Sequence, residues 1–172
     1  MRLSAETVIS MSATVIAVVA LAVSIYEARA SRKHNRHSVR PVLQLWLGYS
    51  DGKESGLLIV NSGLGPALIT KTMATVDGVP VGPWIKPNVD TIREPLPFDA
   101  SATTFAAGAF LKTDYQALLL GVDEFAWDEH GELISLIDQR LKLEVQYESL
   151  YGGEQFKAIW TPTHTNPPPE RT

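Results

Sequence analysis

The sequence predicts a mainly β fold: an N-terminal transmembrane helix followed by an immunoglobulin-like antiparallel β-sandwich with one short helix. Residues 7–26 carry no charge and are dominated by Val, Ile, Ala and Leu. Beyond Pro41 the apolar period changes to two, and turn residues recur without a βαβ rhythm. We therefore expect five segments: an N-terminal tail (1–6), the span (7–26), a basic juxtamembrane segment (27–40), the β-sandwich (41–160) and a disordered proline-rich tail (161–172).

The predicted span has the length of a bilayer core. A helix over residues 7–26 rises about 30 Å, which matches the hydrocarbon thickness of a membrane. A cleaved signal peptide is the alternative, because Ala28-Arg29-Ala30 has the small-x-small pattern of a cleavage site. The length of the apolar run and the basic residues after that site favour a retained span.

Charge is distributed unevenly along the chain. Residues 27–40 hold five Lys/Arg, whereas one basic residue precedes the span. The positive-inside rule therefore places the amino terminus outside and the large domain in the cytoplasm. The acidic excess after residue 40 argues against nucleic-acid binding. The basic residues are also predicted to contact anionic lipid headgroups: Arg29, Arg32, Lys33, Arg36 and Arg40.

Small residues recur along one side of the span, at spacings of three and four. Such a stripe lets two helix backbones approach closely in lipid, and it predicts a homo-oligomer formed through the span. Chance is the alternative explanation, because any alanine-rich span produces similar stripes. The residues of this stripe are Ser10, Ala13, Ala17, Ala20 and Ser24.

Alternating or continuous apolar residues predict the strands of the sandwich. Residues 83–97 contain four prolines and are expected to form a long irregular connection, with room for one turn of helix. Residues 130–140 are predicted to form the one short helix of the domain. The predicted strands are 42–47, 56–60, 68–76, 79–81, 103–112, 117–122, 141–147 and 154–160.

The segment Asn61-Ser62-Gly63-Leu64-Gly65-Pro66 invites comparison with phosphate-binding loops. It lacks the third glycine of a dinucleotide fingerprint and the Gly-Lys-Ser/Thr of a P-loop, and no helix follows it. We therefore interpret Asn61, Gly63, Gly65 and Pro66 as a structural turn. The side chain of Asn61 is expected to cap this turn. If Gly65 adopts a positive φ there, replacing it by Val should destabilise the domain by about 1 kcal/mol or more.

Three motifs carry a resemblance that covers most of the chain: HNRHSVRP after the span, NSGLGPA at residues 61–67, and YESLYGGEQF near the end. With these motifs the chain resembles a group of small uncharacterised bacterial membrane-anchored proteins. The resemblance implies the bacterial inner membrane as the location. It implies no activity.

The residue inventory excludes several kinds of chemistry. The chain has no cysteine, which rules out disulfides, thiol nucleophiles and cysteine-ligated metals. We predict no catalytic set, cofactor or metal. The sequence favours a membrane-anchored cytoplasmic β-sandwich that serves as a binding or assembly module for a protein partner. The alternative is a small membrane-bound hydrolase or ligand sensor using the acidic segment 123–132, although its carboxylates lack the spacing of a calcium loop.

Overall fold

The computed structural model describes residues 5–162, apart from the side chains of residues 5, 7–8 and 32–38. The predicted proline-rich tail (161–172) therefore lies outside the described residues except for residues 161–162, and most of the predicted N-terminal tail (1–6) also lies outside them. The chain consists of two compact units that meet in sequence between Val39 and Arg40.

The first unit is a single helix, α1, from Ala5 to Ser38. Its segment Ile9–Ser31 is long and apolar enough to cross a membrane, although a signal sequence would have the same properties. Two hydroxyls within this segment bond back to the helix: Ser12 Oγ donates to Ile9 O (2.8 Å) and Thr14 Oγ1 to Ser10 O (2.9 Å). Such bonds satisfy hydroxyl groups where no water is present.

The second unit is mainly β, with antiparallel sheets, as the alternating pattern predicts. One sheet has the strand order β1-β2-β6, and the other has the order β4-β3-β7-β8, with β5 paired to the start of β3. The strands are β1 Leu43–Gly48, β2 Ser55–Asn61, β3 Ala67–Val76, β4 Val79–Gly82, β5 Phe110–Leu111, β6 Gln116–Val122, β7 Leu141–Ser149 and β8 Gln155–Trp160. The helices are α2 Lys86–Arg93 and α3 Gly131–Ser135, which continues as a π-helical turn over Leu136–Arg140.

The inward side chains of the two sheets share one hydrophobic core. Ile59 on β2 and Leu143 on β7 are fully buried, and each such side chain contributes about 2 kcal/mol through burial. One polar bond also joins the sheets, because the hydroxyl of Tyr147 on β7 accepts from the backbone N–H of Leu43 on β1 at 3.1 Å.

Three of the predicted elements differ in the structure. Residues 103–112 form a strand only at Phe110–Leu111, because Phe105 instead bonds to Trp84 O (3.0 Å) and buries its ring as part of a loop. The proline-rich connection contains the two-turn helix α2, which has proline in its first turn. The predicted helix 130–140 is α-helical only at Gly131–Ser135, before the π-helical turn.

The antiparallel strands give the β domain two ends. The proximal end is the one at which the chain enters at Arg40. The distal end lies about one strand length away, because β3 and β7 both run between the two ends. The proximal end comprises residues 40–42 and the connections 62–66, 112–115 and 150–154. The distal end comprises the connections 49–54, 77–78 and 123–140.

Candidate functional site

A groove of about 360 Å³ opens at the distal end between the β3–β4 hairpin, the end of α2 and the π-helical turn. Concave, mostly apolar surfaces with a few polar groups are typical of binding sites. Glu132, Ser135, Thr91 and Arg140 supply the polar groups here. The apolar lining consists of Val76, Val79, Val81, Ile92, Pro95, Leu96 and Leu136.

One wall of the groove is fixed by an ion pair between Asp77 and Arg140. The guanidinium donates from Nε to Oδ1 (2.9 Å) and from Nη2 to Oδ2 (2.6 Å). The backbone N–H of Asp77 also donates to the carbonyl of Arg140 at 3.0 Å. These hydrogen bonds from Arg140 lower the pKa of Asp77. The hairpin is therefore held against the π-helical turn on one side of the groove.

Behind this turn lies a polar pair that is not satisfied. Among the described residues, neither the hydroxyl of Tyr49 nor Oδ1 of Asp138 has a hydrogen-bond partner of good geometry, although the two groups are neighbours. Burial raises the pKa of Asp138, and burial with the nearby Asp138 charge raises the pKa of Tyr49. π-helical turns often occur at functional sites. The π-helical turn and the unsatisfied pair behind it therefore single out the distal end as a candidate functional site.

The distal end also contains an aromatic cluster. The ring of Tyr49 stacks on Phe125 with centroids 5.2 Å apart, and Phe125 meets Trp127 edge-on at 5.1 Å. His130 packs against Phe125 and Phe98, and its Nδ1 accepts from the N–H of Ala126 at 3.0 Å. These contacts give His130 a structural role in holding the 123–130 connection.

Most carboxylates of the acidic segment 123–132 lie on an exposed turn. Asp123, Glu124, Asp128 and Glu129 are exposed and lie in bends and turns, so they do not line one face of a helix. Among the residues whose side chains the structure describes, no group of three or more His, Asp or Glu residues could hold a metal ion. The three distal connections together carry nine acidic and two basic residues, a net charge of −7. The groove therefore opens at the acidic end of the domain, although only Glu132 and Arg140 of these charged residues line it.

The predicted turn residues lie at the proximal end, where fully buried Asn61 joins three segments. Its Nδ2 donates to the carbonyls of Gly65 (2.9 Å), Leu111 (3.1 Å) and Lys112 (3.1 Å). Its Oδ1 accepts from the N–H groups of Gly63 (3.1 Å) and Val42 (3.2 Å). The Asn61 amide therefore bonds not only within its own turn but also to the chain at Val42 and at Leu111–Lys112.

The two glycines of this turn differ in what restricts them. Gly65 is not among the residues with positive φ, so the condition under which Gly65→Val was expected to destabilise the domain is not met. Gly63 is restricted instead by close approach, because a Cβ there would collide with Arg40 O and Val42 N. Pro66, half-buried, immediately precedes β3. The turn is thus packed directly against the backbone that enters the domain.

The other predicted site residues lie on α1 and at the start of the β domain. The small-residue stripe from Ser10 to Ser24 is exposed on α1, and oligomerisation through it stays a prediction. Arg29 is also exposed on α1, whereas the side chains of Arg32, Lys33 and Arg36 lie outside the described residues. Arg40 lies in the β domain, 4.3 Å above the Phe156 ring and 3.8 Å from a carboxylate oxygen of Glu154.

Two features of the molecule were not predicted from the sequence. The groove is built from residues 76–96 and 132–140, and only the Asp77-Gly78 hairpin and the proline that starts α2 indicated part of it. The second feature is a group of exposed apolar side chains at the proximal end: Leu64, Phe110, Leu150 and Tyr151.

Together, the fold and the groove define a class of protein: a mainly β domain with a concave apolar surface, preceded by a helix able to cross a membrane. Within this class the chain belongs to the family described as a domain of unknown function (DUF8453), whose family profile matches residues 7–162. This membership is consistent with the resemblance to uncharacterised proteins. Neither a curated protein nor a solved structure matches the chain.

Proposed function

We propose that this protein is a membrane-anchored binding or assembly module of the bacterial inner membrane. In this proposal α1 holds the chain in the membrane, and the β domain presents its distal groove to a protein partner in the cytoplasm. The observation that carries the proposal is the groove itself, which is apolar, concave and placed at the end of the domain opposite Arg40. A tethered domain keeps that end accessible to a partner.

The anchoring is supported by the apolar surface and the charges of α1. The whole segment Ile9–Ser31 is unburied, so its apolar side chains need a surrounding other than water. The five basic residues of 27–40 favour a cytoplasmic β domain. A reporter that is active only in the periplasm, fused after Thr172, should give no signal. Strong activity would overturn this orientation, and a shortened mature chain would show cleavage after Ala30.

We further propose that the β domain is a variant of the immunoglobulin-like sandwich. The strand orders β1-β2-β6 and β4-β3-β7-β8 correspond to the A-B-E and C′-C-F-G orders of that architecture. The domain departs from this pattern in the connection between β4 and β6, where α2 and the short β5 take the place of a regular D strand. This departure creates the floor of the groove on the α2 side.

The charge of the distal end supports a proposal for the chemistry of the partner. An apolar lining with Glu132 at its side, within an end of net charge −7, favours a protein segment with apolar side chains flanked by Lys or Arg. The apolar side chains would fill the groove, and the basic ones would meet the surrounding carboxylates. The acidic field would also increase the association rate, an effect that weakens with salt.

Selection of a random peptide library on the full chain in lipid nanodiscs tests this proposal. We expect the enriched peptides to combine apolar and basic residues, and their affinity to fall about tenfold in the variant Val79→Lys. Ile159→Lys is the matched control, because Ile159 is an exposed strand residue outside the groove. Peptides of other composition, or equal binding to both variants, would overturn the assignment of the groove.

A further inference from the structure

We propose that the proximal end of the β domain rests on the membrane surface and inserts apolar side chains among the lipid headgroups. This inference depends on the proposed anchoring through α1 and is independent of the groove. It gives the domain a fixed orientation, with the distal end directed away from the lipid.

The first observation is the exposure of four large apolar side chains at this end. Leu64 is 73% exposed, Leu150 63%, Phe110 57% and Tyr151 52%. They come from three separate parts of the chain, and Leu150 and Tyr151 are neighbours in the β7–β8 connection. Leucine and aromatic side chains of this kind are typical of surfaces that lie in the interfacial layer of a membrane.

Two of these side chains, Leu64 and Phe110, are carried by hydrogen-bonded segments. Phe110 on β5 pairs with Leu68 on β3, which pairs on its other side with Glu148 on β7, so the three strands lie side by side. The carbonyl of Leu64 accepts a hydrogen bond from Thr113 at 3.3 Å. Asn61 ties the connections that carry Leu64 and Phe110 to each other. Ordered apolar side chains lose little conformational entropy when they enter a second phase.

The second observation is the difference in charge between the two ends. The proximal connections carry two basic residues, Arg40 and Lys112, and two acidic residues, Asp114 and Glu154, which leaves no net charge. The distal connections have a net charge of −7. An anionic lipid surface repels the distal end and not the proximal end, so electrostatics alone favours the proposed orientation.

The third observation is the length of the connection. Helix α1 ends at Ser38, two residues before Arg40. If Arg36 contacts the headgroups, Arg40 lies within about 14 Å of them even when the chain between is fully extended. Gly63 packs against the backbone of Arg40, and Leu64 follows it directly. The connection therefore leaves Leu64, beside Arg40, within reach of the lipid surface.

The absence of native cysteine allows a direct test in the full chain. The variants Leu64→Cys, Leu150→Cys and Val79→Cys are each labelled with a polarity-sensitive fluorophore and reconstituted into phosphatidylethanolamine–phosphatidylglycerol vesicles. We expect the labels at residues 64 and 150 to shift their emission to the blue and to be quenched by nitroxide-headgroup lipid. The label at residue 79, which is 66% exposed at the distal end, should show neither change.

The possible outcomes separate the two proposals. Release of the chain by alkaline carbonate would contradict the anchoring itself. A retained chain whose three labels all emit as in water would overturn the docking of the proximal end. A blue shift without nitroxide quenching would also overturn it, because the end would then be covered by protein, such as a second copy. Replacing Leu64 and Tyr151 by Asp should abolish the quenching at residue 150 and leave carbonate resistance unchanged.

Discussion

The two ends of the β domain use their polar groups in opposite ways. At the proximal end, the Asn61 side chain makes five hydrogen bonds to backbone groups and leaves none of its bonding capacity unused. At the distal end, the Tyr49 hydroxyl and Oδ1 of Asp138 are buried without a well-formed bond. The proximal end has no net charge in its connections, and the distal end has a charge of −7.

This difference agrees with the proposed division of the domain into a structural end and a binding end. A fully satisfied polar network gives a unique, rigid arrangement, which suits the end where the chain enters from its anchor. A groove beside a π-helical turn and an unsatisfied pair has lower local stability, and binding surfaces are commonly drawn from such regions. Substitutions in the Asn61 network should therefore lower stability, whereas those of polar groups around the groove should affect it little.

The largest expected effect is that of Asn61→Ala. This substitution leaves buried backbone groups of three segments without partners, so the free energy of unfolding should fall by about 3 kcal/mol. Urea denaturation of the full chain in detergent micelles measures this change in the free energy of unfolding. The neighbouring variant Ser62→Ala is the control, because exposed Ser62 makes one long bond of 3.3 Å and should lose about 0.5 kcal/mol or less. Equal losses would contradict the central role of Asn61.

A smaller loss is expected for Gly63→Ala. Its Cβ would collide with the backbone at Arg40 and Val42, and such overpacking costs about 1–3 kcal/mol. At the distal end, a Cβ on Gly131 meets nothing within 4 Å. Gly131→Ala should therefore be neutral or slightly stabilising, since alanine favours the helix. The same denaturation experiment compares the two variants. A Gly63→Ala protein with an unchanged free energy of unfolding would contradict the prediction, because the backbone at Arg40 and Val42 would then have moved to make room for the Cβ.

The variant Asp138→Asn should stabilise the protein at neutral pH. Because burial raises the pKa of Asp138, the folded state binds more protons than the unfolded state, and stability falls as pH rises through the interval above about 4. Asn removes this loss, so the gain should be present at pH 8 and absent at acidic pH. It should stay below about 1 kcal/mol, because the carboxyl is only partly buried. Exposed Asp123→Asn is the control, and equal melting-temperature profiles would contradict the prediction.

The smallest effect is expected for Asp77→Asn. The backbone at this turn has a positive φ of 52°, and asparagine tolerates that conformation as well as aspartate does. The pKa of Asp77 is lowered by Arg140, so the pair contributes stability above about pH 4 and loses it as the carboxylate is protonated. The melting temperature should decrease slightly at pH 7, and the difference should shrink at high salt and at acidic pH. A salt-independent decrease would point to the turn and not to the ion pair.

Much of the fold was predictable because its signals are local. The alternation in β7 from Leu141 to Ser149 reports a strand with one buried face, and Asp77-Gly78 reports a two-residue hairpin. The apolar residues around Phe105 led to a wrong prediction of a strand over residues 103–112. Burial of that ring depends on the Trp84 backbone, more than twenty residues away, and apolar content alone does not distinguish a core-packed loop from a strand.

By itself, the sequence determined the apolar helix, the basic segment after it, the antiparallel β pattern and the turn at Asn61. Each of these depends on composition or on neighbours within a few residues. Only the tertiary structure decided that Val79, Leu96 and Leu136 line one groove and that Leu64 and Leu150 share one end. It also decided that Asn61 bonds to Leu111, fifty residues away. Such contacts depend on how the strands order themselves into two sheets, and no local period encodes that order.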